Sequence, residues 1–308
     1  MNVVILSARP GWQTAELCRA LDERGHIGHV LPYEGLVARL GAAADLHVRP
    51  AEQATGVPVF EADAVLPRII PSGSLEQIIY RVNALHWMER RGLTVINAPG
   101  AIERCVDKFL TTALLHEAGL PVPETVVCEG VADAMAAVRR FGVAIVKPIF
   151  GSMGHGLIRV ENVDLAFRVF KALDQVRAVF YVQQAIDHGG RDVRAFVVGG
   201  RVVAAIERLA PAGEWRTNVS QGATARALVL PAAWQEMALT AAQAIGADYA
   251  GVDLLQSRDG AVFVLEVNGI PGWQGLQEAT GVDVAGEIVS HLIGRVRARR
   301  AAAAALRA

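Results

Sequence analysis

The sequence predicts an α/β protein, and three features predict it. Residues 1–98 alternate short apolar, strand-like runs with amphipathic helical stretches, the pattern of a small open parallel sheet. The later part is written in paired β-prone runs joined by glycine-containing breaks, which predicts antiparallel hairpins and an α+β arrangement. Hydrophobic residues make up 52% of the 308-residue chain, ample for real cores and against disorder. Length alone suggests two or three domains.

Composition excludes several function classes. A net charge of −1 gives no electrostatic footprint for nucleic acid or an anionic membrane surface. The three cysteines, Cys18, Cys105 and Cys128, fall in no metal or redox spacing, and their odd number argues against a disulfide framework. The start lacks the basic n-region of a signal peptide, and no apolar run approaches the roughly 18 residues that span a bilayer. A cytoplasmic globular protein is expected, with neither nucleic acid nor membrane as a partner. Only three of the 30 basic residues are lysine, namely Lys108, Lys147 and Lys171. Arginine and lysine are not interchangeable where a compact point charge must sit beside phosphate, so each lysine is a candidate for that role.

Taken in order, residues 3–6 read as a buried strand and 13–24 as an amphipathic helix stopped by Gly25. Further strands are predicted at 30–31, 64–66 and 94–97, with a helix over 75–91 before Gly92. No G-x-G-x-x-G follows the first strand, so this unit is expected to be a substrate-binding wall rather than a dinucleotide site. The pattern changes at Ala98-Pro99-Gly100, which sets the end of an N-terminal domain at residue 98. A helix through Lys108 to Gly119 follows, closed by Leu120-Pro121-Val122-Pro123. A helical lysine is ordinarily a solvated one; the rarity of lysine here makes Lys108 worth a second reading.

Two strand-like runs, 143–150 and 157–160, then bracket a loop containing Gly151, Ser152, Gly154, His155 and Gly156. Glycines let backbone N–H groups approach an anion closely, and Lys147 at the end of the first strand is placed to reach the same phosphate. The loop is not a Walker A motif, because no Gly-Lys-Ser/Thr enters a helix. Lys171 lies on an amphipathic helix over 166–173 and reads as solvated. A buried strand over 179–186 leads into the linker Asp187-His188-Gly189-Gly190, where His188 is a solvated residue without a partner at ligand spacing. The domain division predicted is 99–182, 183–295 and a tail at 296–308.

The hairpin 191–208 turns at Gly199-Gly200 and places Asp192 and Arg194 on one face. A loop with Trp215-Arg216-Thr217-Asn218 and a helix over 232–245 lead to the hairpin 251–268. Its Asp259-Gly260, read as a two-residue turn with Arg258 facing Ala261, sets Asp253 opposite Glu266 and Asn268 on the face of Glu266. Two carboxylates opposed inside apolar strands repel each other and are costly to desolvate. A hard divalent cation, Mg²⁺ or Mn²⁺, relieves that cost with Asn268 as a third oxygen donor, and Mg²⁺ is usually shared with a phosphate. The alternative is a solvent-facing hairpin whose acids pair with nearby arginines. Arg194, Arg208 and Arg216 lie on neighbouring segments and serve either such pairs or a transferring phosphate or carboxylate. The chain closes with a tight turn at 271–276, a helix at about 283–298 and a fraying Ala/Arg tail.

The order of these motifs resembles the ATP-grasp ligases. A helical lysine, Lys-Pro before a glycine-rich hairpin, a Gln-Gln strand, Asp-Val-Arg, Arg-Thr-Asn, and an Asp followed by Glu-Val-Asn match in order and spacing. Ala205-Ile206-Glu207-Arg208, Arg216-Thr217-Asn218 and Glu266-Val267-Asn268-Gly269-Ile270-Pro271-Gly272 are similar to the RimK-like branch, the α-L-glutamate ligases, and the likeness spans residues 60–295. It implies an ATP-grasp fold behind an N-terminal Rossmann-like pre-ATP-grasp domain. It also implies Lys108 and Lys147 on the phosphates of ATP, a lid formed by 151–156, Gln184 and Ala185 beside adenine, and Asp192 on the nucleotide. Relatives carry an acidic–aromatic pair at those two linker positions, so here any adenine contact falls to the backbone. Arg216, Thr217 and Asn218 would lie near the γ-phosphate and acyl acceptor, with Arg194 or Arg208 steadying the tetrahedral oxyanion. Asp253, Glu266 and Asn268 would hold two metal ions. The implied reaction joins an amino acid, L-glutamate, to an acceptor carboxylate through an acyl phosphate. Ser72-Gly73-Ser74-Leu75-Glu76-Gln77 looks more like members that modify a pterin or similar coenzyme. A small-molecule kinase, an inactive nucleotide-binding module and a homo-oligomeric state stay open at this point.

Overall fold

Five of the six residues of the strand Asn2–Ser7 (β1) are buried, as an uninterrupted apolar run must be when both its faces are covered. The computed structural model describes residues 1–41, 44–49, 56–151, 156–217 and 222–306. After β1 come the helix Trp12–Asp22 (α1) and the strand Ile27–Pro32 (β2). Three short strands, Leu36–Arg39 (β3), Asp45–Val48 (β4) and Val57–Pro58 (β5), then form a small antiparallel sheet that the alternation of apolar residues does not announce. Ala64–Pro67 (β6), the helix Leu75–Arg90 (α2) and Thr94–Val95 (β7) complete the first unit. Its main sheet is parallel in the order β2-β1-β6-β7, as the strand–helix alternation predicts.

The helix expected to run to Gly119 is two helices, Pro99–Val106 (α3) and Lys108–Glu117 (α4). Asp107 breaks it: extended backbone there lets its carboxylate accept from the Leu110 N–H at 3.0 Å and cap α4. Lys108 thereby becomes the first residue of a helix instead of an interior one. The next unit is the antiparallel sheet β10-β9-β11-β8. It is built from Thr125–Cys128 (β8), Ala144–Lys147 (β9), Ile158–Val160 (β10) and Phe180–Gln184 (β11), with the helices Val131–Phe141 (α5) and Val163–Gln175 (α6). The apolar faces of α5 and α6 close over one side of this sheet, around Val138, Phe170, Phe180 and Val182.

The third of the larger sheets, called the third sheet below, is antiparallel in the order β14-β13-β12-β15-β16. Its members are Arg191–Val198 (β12), Arg201–Leu209 (β13), Thr224–Ala227 (β14), Tyr249–Gln256 (β15) and Val262–Asn268 (β16). Helix Ala232–Ile245 (α7) covers one face, and the helices Gln274–Thr280 (α8) and Val284–Ala305 (α9) follow. The predicted turn at 271–276 is therefore shorter than expected, since α8 begins at Gln274. The Ala/Arg tail is helical as far as Ala305, consistent with alanine being the best helix former. Helix α9 returns to the first unit, where Val284, Ile288, Val289 and Leu292 share a core with Val3, Ile5 and Leu17.

Asp253 does face Glu266, but by a different route from the one predicted. Gln256 pairs with Val262, so the turn spans 257–261 and is longer than two residues. A bulge then leaves Leu265 unpaired and restores the register at Asp253. The two departures cancel.

Candidate active site

The third sheet presents its acids and arginines as an alternating ladder. Register places Asp192 opposite Arg208 and Arg194 opposite Asp253, which in turn faces Glu266. Arg208 grips Asp192 through Nε at 2.6 Å and Nη2 at 2.5 Å, and reaches Asp253 at 3.0 Å. Arg194 donates through Nε and Nη2, each at 2.7 Å, to the two oxygens of Asp253. Thr217 donates its hydroxyl to Asp192 at 2.6 Å. Burial disfavours the Asp253 carboxylate, but Arg194 and Arg208 outweigh it and hold the group below the usual carboxylate range. Burial pushes the Asp192 carboxyl up, and the charge of Asp253 adds to that push.

Glu266 differs from its neighbour in exposure. Its side chain is 36% exposed against 3% for Asp253, and it lies 4.0 Å from Arg194. Asn268, on the same face, donates to Glu266 Oε1 at 2.9 Å, leaving its own carbonyl oxygen aside from that bond. Across from them stand the two lysines. Lys147, at the end of β9, is buried, and that burial lowers its pKa to about 8 while the charge of Glu266 opposes the fall. Lys108, at the start of α4, donates to the Gly151 carbonyl at 2.8 Å and the Ile149 carbonyl at 3.3 Å, and burial lowers its pKa as well. The charge of Glu266 acts on both ammonium groups.

Most of these groups open on one cleft. Its walls carry Lys108, Lys147, Gly151, Gln184, Ala185, Asp192, Arg208, Arg216, Thr217, Asp253 and Glu266, and Asn268 lines a smaller adjoining cavity with both lysines. Gly156 sits at φ +75°, and a Cβ there or at Gly151 would come within 3.3 Å of the Pro148 ring, so the ends of this loop require glycine. Arg216 is held by Glu214 at 2.9 Å and lies over the Trp215 ring at 5.6 Å. That guanidinium lowers the Glu214 carboxyl to about 2. Ser152, Gly154 and Asn218 lie outside the described residues.

The oxygen donors fit a hard divalent cation. Glu266 and Asn268 face the cavity and Asp253 lies beside them, though its oxygens are shared with two arginines. Cys105, the sulfur lining the same cavity, is pushed up to about 12 by burial and remains a thiol. Residues that sequence reasoning did not single out also shape the site. Gln183 meets Lys147 at 2.6 Å; the sequence marks it only as half of the Gln-Gln pair and gives it no role. Arg68 is buried beneath the Trp273 ring at 4.7 Å and donates to Tyr249 and Pro271. Buried Asn97 bonds the Tyr249 backbone and the Gly269 carbonyl.

Comparison with known proteins gives this cleft a context. The chain is 33% identical to a tetrahydromethanopterin:alpha-L-glutamate ligase of Methanosarcina acetivorans, with 91% of this chain and 95% of that one covered. It is 36% identical to a probable alpha-L-glutamate ligase of Trichodesmium erythraeum, over 95% and 96% of the two chains. The fold superposes on the ATP-grasp ligase PsnB, solved with a minimal precursor, Mg and ADP, at a TM-score of 0.73 and 22% identity, covering 96% of this chain and 98% of that one. Residues 105–292, more than half of the sequence, match the family model of the RimK-like ATP-grasp domain. With cations on one wall, hard oxygen donors on the other and Gly151 at its edge, this cleft is that of a chain that belongs to the RimK-like ATP-grasp family.

Proposed function

We propose that this protein is an ATP- and Mg²⁺-dependent carboxylate–amine ligase that joins L-glutamate to an acceptor carboxylate, giving an amide, ADP and phosphate. The observation that carries the proposal is the facing arrangement of Lys108 and Lys147 against Glu266 and Asn268 across one cavity. Such an arrangement suits a triphosphate, whose charge needs both ammonium groups and a bound cation.

A carboxylate does not condense with an amine in water at a useful rate. One acceptor oxygen attacks the γ-phosphorus of ATP, ADP departs, and an acyl phosphate remains. The glutamate amine then attacks the acyl carbon, loses a proton, and phosphate leaves with the oxygen it received. Lys147 and Lys108 neutralise the phosphate chain, and Gln184 and Ala185 border the base. Arg216, Thr217 and Asn218 take the γ-phosphate end. Arg194, the more exposed of the two arginines on Asp253, steadies the tetrahedral oxyanion, while Arg208, clamped by Asp192 and Asp253, positions both acids. Glu266, Asn268 and Asp253 would hold Mg²⁺, which when bound screens the charge of the transferring group. The loop from Gly151 to Gly156, including Ser152 and Gly154, excludes water from the acyl phosphate. The acceptor lies against the carboxyl ends of β1 and β6, where the strand order of the first sheet reverses near Ser7 and Arg68. A pterin coenzyme bearing a free carboxylate is the acceptor class we propose, on the strength of a relative named for one.

The test is an ADP-release assay with ATP, MgCl₂, L-glutamate and tetrahydromethanopterin, each omitted in turn, followed by mass spectrometry. ADP release is expected to need both amine and acceptor, and the acceptor to gain glutamyl residues. A phosphorylated acceptor formed without glutamate would mark a kinase instead.

A further inference from the structure

We propose that Gln183 is a positioning residue that aims the Lys147 ammonium at the nucleotide phosphates and, being neutral, leaves that charge for them. The inference rests on the nucleotide reading above and adds a residue it does not use.

The hydrogen-bond network fixes which way the Gln183 amide points. Thr125 donates its hydroxyl to the Pro123 carbonyl at 2.8 Å, so its oxygen is left to accept, and Gln183 Nε2 donates to it at 3.0 Å. The second Nε2 hydrogen goes to the Tyr181 hydroxyl at 3.1 Å. Tyr181 shares a further hydrogen bond with the Thr112 hydroxyl at 2.7 Å. The Gln183 carbonyl oxygen is thus turned to Lys147 Nζ at 2.6 Å. The flipped amide would set NH₂ against NH₃⁺ and leave Thr125 without a donor.

This chain joins three elements. Thr112 lies four residues after Lys108 on α4, Thr125 is on β8, and Tyr181 and Gln183 are on β11. The network therefore ties the helix that carries Lys108 to the strand that carries Lys147. A carboxylate at 183 would form a buried ion pair with Lys147 and compete with phosphate for it. The charged and titratable groups facing Lys147 are Lys108 from α4, Glu266 from β16, Asp253 from β15 and Tyr181 from β11.

Gln183→Glu and Gln183→Met discriminate a positioning role from a packing one, read by calorimetric titration of MgADP onto the full chain between pH 6 and 9.5, with thermal melts as a folding control. Wild-type affinity is expected to fall as pH rises through about 8, where Lys147 loses its proton. Gln183→Glu should weaken MgADP about tenfold at pH 7 and move that alkaline limb to higher pH. Gln183→Met, which removes the acceptor but keeps the length, should weaken binding and move the limb to lower pH. Tyr181→Phe should act as a milder Gln183→Met, because Thr125 still holds the amide. Opposite displacements by the two Gln183 variants support the proposal, since packing damage moves both the same way. Wild-type affinity and limb in both, or equal displacement in both, overturns it. If wild-type protein binds no MgADP at all, the nucleotide reading falls and takes this proposal with it.

Discussion

Asp253 and Glu266 sit across one strand pair, yet they are embedded so differently that they should fail in different ways. Asp253 is enclosed and accepts from Arg194 and Arg208, whereas Glu266 is partly exposed and makes its closest polar contact with Asn268. Removing one partner of a buried ion pair leaves the other uncompensated, at a cost of roughly 3–5 kcal/mol. Asp253→Asn is therefore predicted to destabilise the protein by about that much in urea unfolding, cushioned for Arg208 by Asp192. Glu266→Gln should stay within about 1 kcal/mol of wild type and still lose ATP turnover by about two orders of magnitude or more. Equal destabilisation by the two substitutions would contradict this division of labour. The opposition of these acids was read from a two-residue turn that the structure lengthens, and it holds because a bulge restores the register. Their arginine partners were legible only as a competing possibility, because sequence does not say which strand lies beside which. The structure shows the arginine pairing for Asp253, but at a buried position and not a solvent-facing one. The role of Gln183 was not legible, since a polar residue in an apolar run acquires meaning only when Thr125 and Tyr181 are seen around it.

Among the elements, the hairpins and the parallel sheet carry their own signatures, and the exceptions have identifiable causes. The Gly199-Gly200 turn and helix α7 fall where they are predicted, because glycine pairs and helical periodicity are local signals. The break at Asp107 was missed because a capping aspartate inside a helical pattern looks like an ordinary polar position until its backbone is seen to be extended. The β15–β16 turn departs from the two-residue rule through Ser257, whose N–H donates to the Ala261 carbonyl across a longer loop. Contacts between elements are the least legible, and Asn97 is an example. Following β7, it donates to Tyr249 at 2.7 Å and Gly269 at 2.5 Å, and accepts from the Tyr249 N–H at 3.0 Å. Asn97→Ala would strand three buried backbone groups between the first unit and the third sheet. A loss of about 3 kcal/mol is predicted at roughly 1 kcal/mol or more per orphaned group. A thermal melt unchanged by this substitution would show that the tie is dispensable.

At the scale of the molecule, the two antiparallel sheets that carry the lysines and the acids converge on one cleft, and the first and last segments of the described chain share a core through α1 and α9. No helix among the described residues is long and apolar enough to cross a membrane. The α/β class and the parallel first sheet follow from alternation over residues 1–98, but the return of α9 to that sheet does not, because nothing local in a helix names its distant partner. The central claim is that the cleft activates a carboxylate by phosphorylation and then delivers it to an amine. The measurement that reaches it most directly is isotope transfer during turnover with ATP, Mg²⁺, L-glutamate and tetrahydromethanopterin labelled with ¹⁸O in its carboxylates. Released phosphate carrying one ¹⁸O per amide formed is the predicted result; phosphate free of label, or label retained in a phosphorylated acceptor, would contradict it.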